Sequence, residues 1–287
     1  MEPSDSVLVV VIGSQGQLRS KSLEHSVTKT TNVAFIDPVQ IEKEDRLETV
    51  VNERLSEIIC GKKLSDSELG CAIAHKKARK LADSVALSSG AFRWALIVED
   101  DADLDFELLN IIKGELRSVD FKSPAVVNYD ARNTRGSLRF RGVKLGETFR
   151  GTRFLADGAV CYAMNREGLE VFRRFDDVPI DCVADWPVQF SHLRIYIPNQ
   201  TRVFEIQGPT SIRHRHQPKH WLKMHLGQLL NFKKIATLYG LSIRQTATSL
   251  FIVGPARANY RRLQVVQSKI DASRKTAWAS LRNFYGR

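Results

Sequence analysis

Cysteine is scarce, and the four present, Cys60, Cys71, Cys161 and Cys182, show no paired spacing. That argues against a disulfide framework or a zinc motif, and it assigns four reduced thiols to packing. Long apolar runs are also missing. No stretch reaches the roughly 18 residues of a membrane-spanning helix, and Met-Glu-Pro-Ser-Asp at positions 1–5 has neither a basic head nor an apolar signal core. A cytoplasmic location is expected. Acidic residues are lacking at one end only: from Arg213 to Arg287 there are 15 Lys and Arg against a single acid, Asp271, giving +14. The whole chain is +11, which leaves −3 for the preceding 212 residues. A nucleic-acid-binding core would spread its basic residues over the folded surface, so no nucleic-acid partner is expected.

At 287 residues the chain can form one large α/β domain or two smaller ones. The compositional break divides it at 1–212 and 213–287. Val7–Ile12 has the apolar content of a strand, followed by Gly-Ser-Gln-Gly and a helical stretch from Leu18 to Thr28. Gly13 and Gly16 lack both the dinucleotide spacing and the phosphate-loop lysine, so they read as turn glycines. A strand follows at 33–36, then a charged stretch from Glu42 to Glu57 that reads as a solvated helix or a mobile insertion. Ser65-Asp-Ser-Glu68 is a capping box opening a helix. Small residues at Gly70, Ala72 and Ala74 let that helix approach another backbone closely, and His75 falls on or beside its apolar face, as a core residue or a ligand.

Trp94–Val98 has the length and branching of a fully buried strand, and it ends in Glu99, Asp100 and Asp101. Ligand sites in α/β sheets lie beyond such carboxyl ends. Adjacent carboxylates repel, so placing them there is costly unless a cation or hydrogen bonds compensate. A hard divalent ion bridging protein to a diphosphate fits; a solvated turn with Asp103 or Asp105 capping the helix from Phe106 to Leu116 is the alternative. Further strands are expected at Ala125–Tyr129, Gly158–Met164, Leu193–Ile197 and Arg202–Ile206. Between them lies an Arg-rich loop, 131–153, with a surface hairpin around 138–143, and Asn165 caps a helix to about Phe175.

Four blocks in this order resemble family-25 glycosyltransferases, the group containing bacterial lipopolysaccharide and lipooligosaccharide galactosyltransferases and animal procollagen galactosyltransferases. They are Leu69-Gly-Cys-Ala-Ile-Ala-His75, Ala95-Leu-Ile-Val-Glu-Asp-Asp101, Gly158-Ala-Val-Cys-Tyr-Ala-Met-Asn-Arg-Glu-Gly168 and Val183-Ala-Asp-Trp186. The resemblance spans about residues 6–212. It implies a glycosyltransferase-A-like α/β fold, a mainly parallel sheet flanked by helices, with the basic segment 213–287 as a mostly helical extension.

By the same resemblance the enzyme is inverting and metal-dependent, using Mn²⁺ or Mg²⁺. It moves a hexose, galactose first, from a UDP-sugar to a saccharide or lipid-linked acceptor. Asp101, Glu99 and His214 are the expected metal ligands. Glu99, Asp100, His75 and Arg19 are expected around the donor, and Asp157, Gly158 and Trp186 around the substrate. Asp185 is the candidate base, with Asp103 relegated to helix capping.

The family pattern is not followed everywhere: Ala74 stands where a serine is common before the histidine, and the opening segment keeps only Arg19 of two spaced arginines. A non-catalytic saccharide-binding or assembly protein retaining the fold is the second reading. Apolar spacing at Trp221, Leu222, Met224, Leu229, Phe232 and Ile235, interspersed with Lys and Arg, suits a basic amphipathic segment lying on the inner face of a membrane.

Overall fold

The computed structural model describes residues 7–41, 51–60, 63–90, 92–130, 144–145, 148–152, 158–180, 188–206 and 221–250. Its centre is an eight-stranded mixed sheet flanked by helices, the α/β class expected from the sequence. β1 (Val7–Ile12) is buried along its whole length and runs parallel to both β2 (Val33–Ile36) and β3 (Trp94–Glu99). Six uninterrupted apolar residues suit a strand covered on both faces. One face of β1 contributes Val7, Val9 and Val11 to a core with α1 (Lys21–Thr28) and α4 (Phe106–Arg117). The other contributes Leu8, Val10 and Ile12 to a core with α3 (Asp66–Ser89) and α5 (Arg166–Arg173).

β8 (Cys161–Asn165) is antiparallel to both β3 and β5 (Ala125–Asn128), so a reversed strand divides the sheet beside the acidic strand end. β5 then pairs in parallel with β9 (Arg194–Pro198), and β9 pairs antiparallel with β7 (Phe149–Thr152), which forms a hairpin with β6 (Lys144–Leu145). Part of the expected Arg-rich loop is therefore edge sheet, with Phe149 fully buried. The hairpin expected around 138–143 lies outside the described residues. The expected strand at 202–206 proves to be a two-residue β10 (Phe204–Glu205) pairing with β4 (Ala102–Asp103) in a separate ribbon. This ribbon closes over the acidic turn, with the Ile206 amide donating to the Asp101 carbonyl at 2.8 Å.

Helix entries follow local chemistry. α3 opens with the complete capping box, in which Ser65 accepts from the Glu68 amide and Glu68 accepts from the Ser65 amide. Gly70 is required by contact, because a Cβ there would stand 2.5 Å from the Val39 carbonyl oxygen. Asp105, not Asp103, caps α4 through the Leu108 amide. Asp103 sits in β4 and accepts from Ser22 at 3.1 Å, which corrects its capping assignment. Asn165 caps α5 as expected and also ties Ala125 and the 121–123 segment to β8.

Of the charged stretch 42–57 the described residues begin at 51, and there α2 (Glu53–Cys60) buries Leu55 and Ile59 against Ile235 and Tyr239 of α7 (Phe232–Tyr239). α6 (Trp221–Leu230) joins the same contact, with Gln228 donating to the Ile59 carbonyl at 2.9 Å. α8 (Ile243–Leu250) reaches the 3-10 turn Val188–His192 through Gln245 and the Ser191 carbonyl. The first part of the basic extension thus packs against the core on one face.

Candidate active site

The carboxyl ends of β1, β2 and β3 meet at one edge of the sheet, and three loops converge there. Gly13 follows β1 so closely that a Cβ would lie 2.7 Å from Asp100 Cβ and 2.8 Å from a Leu18 methyl. It is a packing glycine as well as a turn residue. Gly16 has a φ of 77° and nothing within 4 Å, so its role is the turn alone. Ser14 donates to Asp37 at 2.8 Å, tying the β1 end to the β2 end. Neither Ser14 nor Asp37 stands out in the sequence, because neither belongs to a motif and they lie 23 positions apart.

The acidic turn is anchored to the α1 entrance. The Ser20 amide donates to the Asp100 carbonyl at 2.8 Å, and the Arg19 guanidinium holds the Asp100 carboxylate by Nε at 2.8 and 2.9 Å and by Nη2. The hydrogen bond to Asp100 lifts the Arg19 pKa further above its ordinary range. Arg19 Nη2 also reaches Asp101 Oδ2 at 3.1 Å, while half of the Arg19 side chain faces solvent. A planar guanidinium with donors to spare at a sheet edge is suited to a phosphate oxygen.

Asp101 is buried, and its Oδ1 has no hydrogen-bond partner among the described residues. Burial pushes its pKa up to about 7, Glu99 adds to the rise, and Arg19 pulls against both. Glu205, delivered by β10, and Asp100 push in the same direction. Desolvation therefore wins over the ion pair. The orphaned Oδ1 is one oxygen donor of the kind a hard divalent ion takes, but among the described residues the acids beside Asp101 do not gather into a three-ligand set, since Arg19 holds Asp100 and His75 holds Glu99.

Glu99 faces the other way, toward α3. His75 Nε2 lies 2.9 Å from Glu99 Oε1, and His75 Nδ1 lies 3.1 Å from the Tyr162 hydroxyl, which also accepts from Arg79 at 3.1 Å. Arg79 itself is buried, its guanidinium over the Phe172 ring at 4.8 Å. Cys71 Sγ lies 3.9 Å from the same Glu99 oxygen. His75 is thus fully buried and simultaneously bonded into the site, a combination its position on an apolar face could not reveal. Tyr162 and Arg79 complete that chain from β8 and the next turn of α3, and the sequence offers no signal for them beyond the block around Tyr162.

The fold therefore brings together Arg19, His75, Glu99, Asp100 and Asp101. Gly158, with φ 87°, lies where its carbonyl accepts from Asn128 at 2.8 Å. Asp157, Asp185, Trp186 and His214 lie outside the described residues. Among the described residues no helix is long and apolar enough to cross a membrane.

Comparison with known proteins agrees with the sequence resemblance. Residues 9–141 match the model of glycosyltransferase family 25 (LPS biosynthesis protein). This span contains most of β1, all of β2 to β5 and the Arg19, His75 and Glu99–Asp101 cluster. No curated protein matches the chain. Among solved structures, that of S. aureus TarS 1-349 in complex with UDP-GlcNAc aligns at 14% identity with a TM-score of 0.42, covering 78% of this chain and 65% of that one.

Proposed function

We propose that this chain, a glycosyltransferase of family 25 over residues 9–141, moves a hexose from a UDP-sugar to a saccharide acceptor in surface-glycan assembly. Galactose is the first choice of hexose, and a lipopolysaccharide or lipooligosaccharide intermediate is the first choice of acceptor. The observation that carries the reading is Asp101, buried with an unpartnered oxygen beside Glu99 and Asp100 at the carboxyl end of a central strand. A packing role alone gives no reason to hold an acid in that state.

Asp101, with Glu99 turned away from His75 and joined by His214, would hold Mn²⁺ or Mg²⁺, and the ion would supply Lewis-acid charge to the departing diphosphate. Arg19, fixed by Asp100, presents its exposed donors to the same phosphates. Ser14 and Asp37 line the neighbouring strand ends, where the ribose and base would lie. Inversion requires a base on the face of the sugar opposite the leaving group, and Asp185 takes that role with Trp186 stacking on the ring. Asp157 and Gly158 complete the substrate side. Thermal denaturation of the full chain against a panel of UDP-sugars, with and without Mn²⁺, tests the donor assignment. UDP-galactose is expected to give the largest metal-dependent rise in Tm, since a ligand bound to the folded state alone stabilises by mass action. An equal response without metal, or a larger one to another sugar, would revise it.

The extension also supports contact with an anionic membrane surface. α6 and α8 leave Leu226, Leu229, Leu230 and Ile243 exposed, and Lys233, Lys234 and Arg244 lie close to them in sequence. Flotation with anionic liposomes is expected for the full chain and lost on removal of residues 218–287; equal flotation of both would remove the membrane from the account.

A further inference from the structure

Cys71 and His75 stand one turn apart on the same face of α3, and Glu99 meets both from the end of β3. The thiol sulfur, the imidazole Nε2 and the carboxylate oxygen all lie within 4.8 Å of one another. We propose that these three side chains form a binding site for a soft or borderline divalent ion, Zn²⁺ above all, and that occupancy of this site inhibits the enzyme. The inhibitory part of the proposal rests on the function proposed above, because Glu99 is shared with the donor site; the binding part does not.

The donor types and geometry favour zinc over magnesium or manganese. Sulfur and imidazole nitrogen are zinc ligands, whereas harder ions take oxygens. In a tetrahedral zinc site two ligand atoms are roughly 3.3–3.6 Å apart, given the usual metal–ligand lengths. The His75–Glu99 pair at 2.9 Å and the Cys71–Glu99 pair at 3.9 Å bracket that spacing, and the Cys71–His75 pair lies within 4.8 Å, so side-chain adjustment without backbone movement is what closure on an ion requires. The scaffold is rigid: α3 carries a full capping box and abuts the Val39 carbonyl at Gly70.

The imidazole is already oriented from behind. Tyr162 Oη accepts from Arg79 at 3.1 Å and lies 3.1 Å from His75 Nδ1, so it has a second lone pair with which to accept from that nitrogen. With the ring proton on Nδ1, donated to Tyr162, the Nε2 lone pair is left for the metal, the usual arrangement behind a ligating histidine. Binding releases the Cys71 thiol proton to solvent, while the imidazole keeps one proton, moved to Nδ1. Thiolate and carboxylate then cancel the charge of the ion, which suits a site where His75 is fully buried. Cys71 and Glu99 remain partly exposed, leaving an approach from solvent and a fourth position for water.

One consequence is for Glu99. An ion beside α3 would hold its carboxylate in the orientation it already has toward His75 and Cys71, keeping it from turning to the diphosphate site around Asp101, so micromolar zinc is expected to oppose Mn²⁺-dependent turnover and a chelator to restore it.

Cobalt titration of the full-length protein tests the site directly. One equivalent of Co²⁺ is expected to produce a thiolate-to-cobalt charge-transfer band that Zn²⁺ bleaches. Cys71→Ser should lose the band and weaken zinc binding at least about tenfold, while Asp101→Asn should retain both. Absence of the band in the unaltered protein, or its persistence in Cys71→Ser, would overturn the proposal. A normal band in a protein that never releases UDP from any UDP-sugar would instead leave the zinc site standing and remove the transferase reading.

Discussion

Replacing Asp101 with asparagine will make the ligand-free protein more stable at pH 8 and will abolish its metal-dependent binding of nucleotide sugar. Both effects follow from the same carboxylate. Its pKa rises from an unfolded value near 3.8 to about 7 in the folded protein, so the native state binds more protons than the unfolded chain across that interval. A raised carboxylate pKa means that stability is lost as pH climbs from about 4 to about 7 and that the full penalty applies above it. A shift of this size corresponds to a penalty on the order of 4 kcal/mol. Asparagine carries no charge to desolvate, and Asp100 remains as the main partner of Arg19. The variant should therefore melt several degrees above the parent at pH 8, with the gap narrowing steadily toward pH 4. Differential scanning calorimetry across that range checks the sign, and a constant gap would show that the charge of Asp101 is not the cause. In the same variant, Mn²⁺ should no longer tighten binding of a UDP-sugar. The protein thus gives up stability at the residue where it needs unsatisfied negative charge.

Asp185→Asn is expected to have the opposite signature. If this carboxylate takes the proton from the acceptor hydroxyl, its loss should lower turnover by about 10²–10⁴-fold, the usual contribution of a positioned base. Donor affinity and its dependence on Mn²⁺ should be nearly unchanged, since those depend on Asp101, Glu99 and Arg19. Turnover measured at saturating donor, alongside titration calorimetry with the UDP-sugar, separates the two effects. Near-normal turnover would transfer the role to another acid, and a parallel loss of donor binding would make Asp185 part of the donor site. The adjacent Trp186 offers a control, because Trp186→Ala should raise the acceptor KM more than it lowers turnover.

The acidic strand end was legible because three levels of pattern coincided: a buried apolar run, an abrupt series of carboxylates, and a capped helix beyond it. The partners of those carboxylates were not legible. Arg19 lies 81 positions from Asp100, and nothing local to either residue links them. His75 shows the same limit from another side, since a histidine among alanines reads as core, and only the approach of β8 with Tyr162 reveals its second bond. The reversed direction of β8 was also hidden, because a strand buried on both faces has the same composition whichever way it runs. Asp103 and Asp105 compete for one cap by sequence, and the choice is made by β10, which pairs with Asp103 and commits it to a ribbon. In the described part of the basic extension, 221–250, apolar spacing marked α6 and α7, but which face would meet the core depended on α2, whose charged surroundings suggested solvent.

The central claim is chemical, and release of UDP tests it most directly. Full-length protein incubated with UDP-galactose and Mn²⁺ should release UDP slowly to water and faster in the presence of a saccharide acceptor, with both rates lost on chelation and in Asp101→Asn. Absence of UDP release from every UDP-sugar tried, with metal and acceptor present, would contradict the account and leave a folded sugar-nucleotide scaffold without transfer.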